Sequence, residues 1–516
     1  MAKEKEKELN DGLSLTPAIT GTANTIEDGK WKEPDAEVWV KRINSRVSYL
    51  NENEAAGWKT VLDFYRGEVM SPSPEYVSDV GQLQENPLYP IMKSLIDTEK
   101  PSLYYRAPAV KIKSTNDDTR FPKADSSLLE YSIRETEFDA EMKAVVHEGV
   151  LFSNGLVALD FDVDRMVARA RQVNIKDCVV ENPDSWRLRD QSWIAIKGRV
   201  NLEDAKIYFN NDELQPTKNT PWLGNPNFEE TMKNPNKNFG GDQREILFEF
   251  WQIFAKYGQK RTMYYVSENE TEFLKFKVAD PKSTNPEKPH KWVKKSDWPF
   301  VLDKEDFPVE FLKMNERTDS FYALNEKALL CPIVLELNII FRHFSKRTRA
   351  AATAKILYDN ALDDAAIQAL SSGKDFDALG ADLQAGKTAK NVIDVFEFPG
   401  VSPEAYQHFM NVRGIFDESS GFSELRRGGS GTGRKTATQA NIEDRSSTLR
   451  SDSKQSKVDV FLKNVTRKMR IINAQLCPLE IAKSVASDEA IDTGVFTPGE
   501  NGIAPWDERK QDIARV

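Results

Sequence analysis

At 516 residues, 39% apolar and 29% charged, the chain is far longer than one ordinary domain and rich in solvated surface. Its net charge of −10 argues against a protein that coats nucleic acid with its whole surface, although a locally basic groove stays open. Cys178, Cys331 and Cys477 are odd in number and widely spaced, which indicates neither a disulfide framework nor a zinc site. The opening MAKEKEKELN has no apolar core, and no run approaches the ~18 uninterrupted apolar residues of a membrane span. The expectation is a protein made in a cytoplasm, with no membrane as partner.

Residues 1–34 lack apolar periodicity and are expected to be disordered. A helical pattern follows at Val40, Ile43, Val47, Leu50, Trp58, Leu62 and Tyr65, with Gly67 as its stop. Residues 86–112 mix prolines with apolar residues and end in Val110-Lys111-Ile112, an alternation that predicts a strand. Helical spacing returns over 125–150, before a Ser153-Asn154-Gly155 turn and a strand from Leu156 to Asp164. Residues 210–241 read as a long surface excursion, Glu245 to Phe254 as a strand, and 280–300 as another loop.

Pro332 stands at a plausible first helical position, and the helix it opens runs into Lys346, Arg347 and Arg349, cations that suit a helix C-terminus. A small-residue segment closes with a strand over Val392–Phe398 and then Pro399-Gly400. A second helix, about 403–420, leads into a glycine-rich loop that carries Arg426, Arg427, Arg434 and Lys435 and no acid. Thr436 and Gln439 make a T-x-x-Q capping box for a helix from Ala437 to Leu476. Its stripe is Val458, Phe461, Leu462, Val465, Met469, Ile472 and Leu476, and Cys477-Pro478 ends it.

Catalytic motifs find little support. Gly380 to Thr388 reads G-x₅-G-K-T, one residue longer than a phosphate-binding loop, and Gly428 to Thr436 carries an Arg before its Lys; both follow helices where a strand is required. Asp160, Asp162 and Asp164 alternate along one strand face, but Arg165 and Arg171 stand where a calcium loop needs Gly and Glu. The four histidines are scattered, and no G-x-S-x-G elbow occurs. The expectation is a protein that is not an enzyme, with no cofactor and no metal. The competing classes are an NTPase using Lys387 or Lys435, and a capsid or scaffold protein that forms no ring.

From about residue 45 to 476 the order of these features resembles bacteriophage portal proteins, above all those of short-tailed phages. The resemblance rests on Gly421 to Met469 (GFSELRRGG…GRKTATQANIEDR…VDVFLKNVTRKM), on Trp298-Pro299 through Phe307-Pro308-Val309 to Asn338, and on Asn86 to Ile112 with Tyr104-Tyr105-Arg106-Ala107-Pro108, together with the helix, turn and strand ending at Asp164. It implies an elongated α+β subunit of a dodecameric ring, placed at the head-to-tail vertex of a virion. By position, 35–320 would be wing, 321–350 and 403–420 stem helices, 351–402 the clip, 421–436 the tunnel loop, and 437–476 the long wing helix. Residues 477–516 would form only a short C-terminal wing or crown segment, since they are too few for a long helical barrel. The implied partners are double-stranded DNA without sequence preference, a terminase motor at the clip, capsid and scaffold proteins, and tail adaptors. Arg426, Arg427, Arg434 and Lys435 would face DNA at the constriction, and Lys346, Arg347 and Arg349 would lie at the stem-to-clip junction. Such placement makes physical sense: a sliding duplex needs attraction to its backbone and no base-edge contacts that fix register.

Overall fold

A computed structural model of the chain describes residues 26–27, 30–31, 33–67, 89–106, 110–112, 120–215, 247–257, 260–279, 290–300, 302, 306–352, 355–358, 393–396, 400–421, 437–499 and 503–509. Near the N-terminus, β1 (Ile26–Glu27) pairs antiparallel with β2 (Lys30–Trp31), where disorder was expected. Just beyond it Glu33 accepts hydrogen bonds from the Tyr264 hydroxyl and the Lys295 ammonium, which tie the segment to the main sheet. The rest of that expectation falls outside the described residues. The predicted helix over 40–65 is α1 (Ala36–Leu50) and α2 (Ala56–Arg66), joined by a π turn at Asn51–Ala55. Trp39, Ile43, Leu50, Trp58 and Val61 line its buried face. Gly67 closes α2 at φ 78°, the left-handed conformation in which glycine meets no steric penalty.

Three local expectations give way to tertiary structure. The proline-bearing stretch forms α3 (Ile91–Leu103) with Pro101 inside its last turn, and Val110–Ile112 joins no sheet: the Ile112 N–H donates to Ser126 Oγ at 3.3 Å. The helix expected over 125–150 is two, α4 (Arg120–Glu135) and α5 (Phe138–Phe152), broken at Glu137 with φ 54°. Neither glycine nor proline marks this break. Its cause is burial in two directions, since α5 packs on the strand pair that follows it while Ala124 and Leu128 of α4 enter a separate core.

The strands alternate with turns as β3 (Asn154–Asp162), β4 (Val167–Gln172), β5 (Cys178–Val180) and β6 (Trp193–Asn201), followed by the short helix α6 (Leu202–Phe209). Then come β7 (Leu247–Tyr257), β8 (Lys260–Val266), β9 (Phe276–Ala279), β10 (His290–Val293), β11 (Lys295–Asp297) and β12 (Val309–Lys313). Among the described residues, one antiparallel sheet has the order β11-β8-β7-β6-β5 and a second the order β12-β3-β4, while β9 and β10 pair with each other. The described part of the loop expected over 280–300 thus supplies two strands, which carry Lys291, Trp292 and Lys295. Trp39 of α1 fills the first sheet's inner face against Trp193 and Tyr264, with ring centroids 5.4 and 5.9 Å away. Asp160 and Asp162 do share a strand face, where Arg169 of β4 lies 3.8 and 3.9 Å from them.

Beyond the sheets the chain becomes a helical excursion. Helix α7 (Glu326–Ala352) leads to β13 (Lys355–Tyr358), which pairs antiparallel with β14 (Ile393–Phe396), and α8 (Pro403–Ser420) returns. Lys355 pairs with Phe396, so the chain leaves and re-enters the strand pair at one end, and α7 and α8 run in opposite directions. Helix α9 (Ala437–Leu476) then crosses the body and is followed by the short α10 (Leu479–Val485) and α11 (Asp488–Ile491). The C-terminal residues build a second core of Cys477, Ala482, Ala490, Val495, Phe496 and Trp506 against Ala124, Leu128 and Val167. The fold is α+β.

Candidate functional site

The region that the sequence singles out is α7, α8 and α9, and its geometry starts at the root of α7. Pro332 does not open that helix; it lies inside it, six residues after Glu326. The start is set by Asn325, whose side-chain oxygen accepts from the N–H groups of Lys327 (3.1 Å) and Ala328 (3.4 Å). Lys327 is buried and pairs with Glu99 of α3, which is equally buried. Lys454 of α9 reaches the same place, 2.7 Å from both Glu99 and Glu326, and Asn315 donates to Glu326 at 3.2 Å. Burial pushes the Glu326 carboxyl up, yet Lys327 and Lys454 more than offset it and hold the group below its ordinary range. Two carboxylates and two ammoniums therefore form a closed neutral cluster that joins α3, α7 and α9.

Further along, α9 is fastened by polar contacts spaced down its length. Lys457 donates to the Met314 carbonyl at 3.0 Å, and Asn464 to Glu310 at 2.9 Å. The buried Lys468 ammonium uses three acceptors: the carbonyls of Phe307 and Val309 and the Glu310 carboxylate, at 3.2, 2.7 and 2.7 Å. Asn473 accepts from the Ala168 N–H at 2.6 Å and donates to Ser132 at 2.8 Å. These residues were not read as functional from the sequence, yet a signal was there. Positions 454, 458, 461, 465, 468 and 472 advance by alternating steps of four and three, so Lys454 and Lys468 occupy the register of the apolar stripe. A lysine in such a position requires a buried partner.

Helices α7 and α8 meet through Phe341, Phe344 and Phe409, with Tyr89 packed on Phe341 at 5.6 Å and on Phe409 at 6.0 Å. Ser402 caps α8 by accepting from the Ala405 N–H at 3.2 Å, and Pro403 follows as its first residue. Gly421 ends the helix at φ 68°, and the Arg450 guanidinium donates to the Glu418 and Ser419 carbonyls at 3.3 and 3.5 Å. A cation thus satisfies the orphan carbonyls at a helix C-terminus.

Lys346 and Arg347 are exposed and lie toward the end of α7; Arg349 lies in the helix, but its side chain is outside the described residues. Arg426, Arg427, Arg434, Lys435, Thr436 and Lys387 also fall outside the described residues, as do both glycine-lysine segments and the side chains of the capping box.

Much apolar surface on the two helices is uncovered. Leu329, Leu335 and Ile339 of α7 are 62, 37 and 38% exposed, and Tyr406, Met410 and Ile415 of α8 are 56, 39 and 52% exposed. Among the described residues one helix, Glu326–Thr348, is long and apolar enough to cross a membrane, with mean hydropathy 1.4. Its buried third, including Leu330, Val334 and Leu337, faces the protein body.

In comparison with known proteins, no family model matches the chain, and no curated protein matches it.

Proposed function

We propose that this chain is a portal-type subunit: a member of a closed, dodecameric ring whose channel passes double-stranded DNA into and out of a viral head. The observation that carries the reading is the out-and-back path of α7, β13, β14 and α8, followed by the 40-residue α9. That is the order of stem, clip, stem and long helix that the sequence resemblance implies. The neutral cluster at Glu99, Glu326, Lys327 and Lys454 supports it further, because it fixes the root of the excursion to the body while the excursion itself stays thin.

In this reading Lys346 and Arg347 offer exposed charge at the junction of stem and clip, and Arg426, Arg427, Arg434 and Lys435 supply attraction to the duplex backbone. Duplex DNA carries about one charge per 1.7 Å of axis, and a ring multiplies four cations by its subunit number, so modest charge per chain is sufficient. Terminase docks at 351–402, and capsid, scaffold and tail adaptor proteins contact the outer surfaces. The chain itself performs no nucleotide chemistry.

Negative-stain imaging and mass photometry of the purified protein at micromolar concentration test the ring, and the expected result is a large closed oligomer with an axial channel. A strictly monomeric protein, with and without scaffold, would overturn the reading. Replacing Arg426, Arg427, Arg434 and Lys435 together by Gln should leave ring formation intact and reduce DNA packaged or retained per head, without dependence on DNA sequence. Unchanged packaging and retention would remove these four residues from the channel.

A further inference from the structure

Residues 275–295 hold seven lysines against Asp280 and Glu287, in a chain whose net charge is −10. Like charges gathered in one place repel, so such a concentration costs stability unless an anion offsets it. In the fold, β9 and β10 pair antiparallel and have no further strand partner among the described residues. One face of this ribbon backs on the protein: Phe276 is buried, with its ring 4.8 Å from that of Tyr265. Alternation along the strand turns Lys277 to the other face. There it stands opposite Trp292, with its ammonium 5.6 Å from the indole ring. Lys275, two residues before it, is exposed as well, and Trp292 is half-buried.

The carboxylates beside the ribbon are already engaged. Glu272 pairs with Lys294, and Glu33 with Lys260 and Lys295. Lys275 and Lys277 have no carboxylate within ion-pair distance among the described residues, so their charge faces solvent. The basic strip is also narrow. Its two strands lie about 4.8 Å apart, and the turn that leads into β9 carries Glu268, Glu270 and Glu272. Burial first, and the charge of Glu213 second, push the Glu270 carboxyl up, so acids crowd that end of the ribbon. A duplex is a poor match, because its grooves are about 6 and 12 Å wide and a backbone laid across the strip would meet these acids. An extended acidic peptide is one strand wide and can keep its carboxylates on the lysines.

We propose that the β9–β10 ribbon docks an extended acidic segment of a partner protein, with alternate carboxylates on Lys275 and Lys277 and its backbone over Trp292. Residues two apart on a strand are about 7 Å apart in lysine ribbon and peptide alike, so carboxylates at every second position meet successive lysines. Trp292 adds a large apolar contact at little cost in side-chain entropy. The channel reading uses none of these residues, and the docking surface exists whether or not the chain forms a ring.

Fluorescence polarisation of the full chain in low-salt buffer tests this, with a labelled peptide of alternating Glu and Thr as the probe. Lys275→Gln/Lys277→Gln should weaken binding at least about five-fold, and about 1 M salt should abolish it. Lys41→Gln/Lys59→Gln, which neutralises exposed cations on α1 and α2, should leave the affinity unchanged and controls for general charge. Circular dichroism and thermal melts should be the same for all three proteins, since the four lysines are exposed. No binding of the peptide by the wild-type protein would overturn the proposal, and so would an equal loss in the control variant. A DNA duplex that binds through Lys275 and Lys277 more tightly than the peptide would give the ribbon to nucleic acid. Wild-type multimers that dissociate in Lys275→Gln/Lys277→Gln would give it to a second copy of the chain. Aggregation of that variant, beside a wild-type protein that ignores the peptide, would reduce the lysines to guards against strand pairing.

Discussion

Glu148 is buried between α5 and the turn after β4, where it accepts from the Ile175 N–H at 2.9 Å and from Gln172 Nε2 at 3.1 Å. Burial pushes its carboxyl up to about 7, and these two bonds offset that only in part; Asp177 adds to the rise and Lys176 opposes it. Because the folded-state value lies above the unfolded 4.5, the folded protein holds this proton more firmly. The stability that it contributes is complete below pH 4.5 and is lost as pH rises through 7. Glu148→Gln mimics the protonated form, with the Gln172 amide turned to match. The variant should be more stable than wild type at pH 8 by up to about 3 kcal/mol, with the gap closing toward pH 4.5. Thermal melts of both proteins across that range check this, and a gap that does not change with pH would contradict it. At Gly198 the constraint is steric: a Cβ would come within 2.3 Å of the Phe250 ring, so Gly198→Ala must displace an aromatic side chain of the main sheet.

At the scale of elements, the cluster at the root of α7 makes the clearest prediction. Lys454→Met strips Glu326 and Glu99 of a shared ammonium, and loss of one partner from a buried pair costs about 3–5 kcal/mol. Glu326→Gln in the same chain should recover part of that loss, because the remaining Glu99 still has Lys327. Chemical denaturation of the two single variants and the double variant gives the coupling, and strict additivity would mean that the groups do not act as a unit. The elements also differ in how legible they were. Helices α8 and α9 could be bounded from sequence because Ser402-Pro403, Gly421 and Pro478 are local signals whose effect does not depend on the rest of the fold. The start of α7 was missed because Pro332 is a strong local signal, while the actual cap, Asn325, stands in a polar stretch. The break at Glu137 had no local signal, since it follows from which core each half helix enters. In the candidate site, Lys346 and Arg347 were legible as cations that suit a helix C-terminus. The open side of α8 was not, because a helix with apolar residues all round does not declare which stripe its own chain will cover.

For the whole molecule, the second core decides how the C-terminal residues are held. Arg509 lies between the rings of Phe121 and Trp506, 4.6 and 4.4 Å from their centroids, and donates to both oxygens of the Asp125 carboxylate at 2.9 and 3.2 Å. Trp506 is fully buried and donates to the Cys477 carbonyl at 3.3 Å. Trp506→Ala should cost about 3–5 kcal/mol and raise protease cleavage within 477–509 and α4, while the oligomeric state stays that of the wild-type protein. Limited proteolysis beside mass photometry separates the two effects; loss of the oligomer in this variant would mean that the second core also supports assembly.

The enclosure of Glu99, Glu326, Lys327 and Lys454 has a consequence for ionic strength. Mobile ions screen exposed charges far more than a largely buried cluster, and at 1 M salt the screening length falls to about 3 Å. Concentrated salt should therefore weaken contacts made through exposed charge far more than it loosens the root of α7. Salt titration thereby becomes a means of quieting the surface of this protein while its frame largely holds.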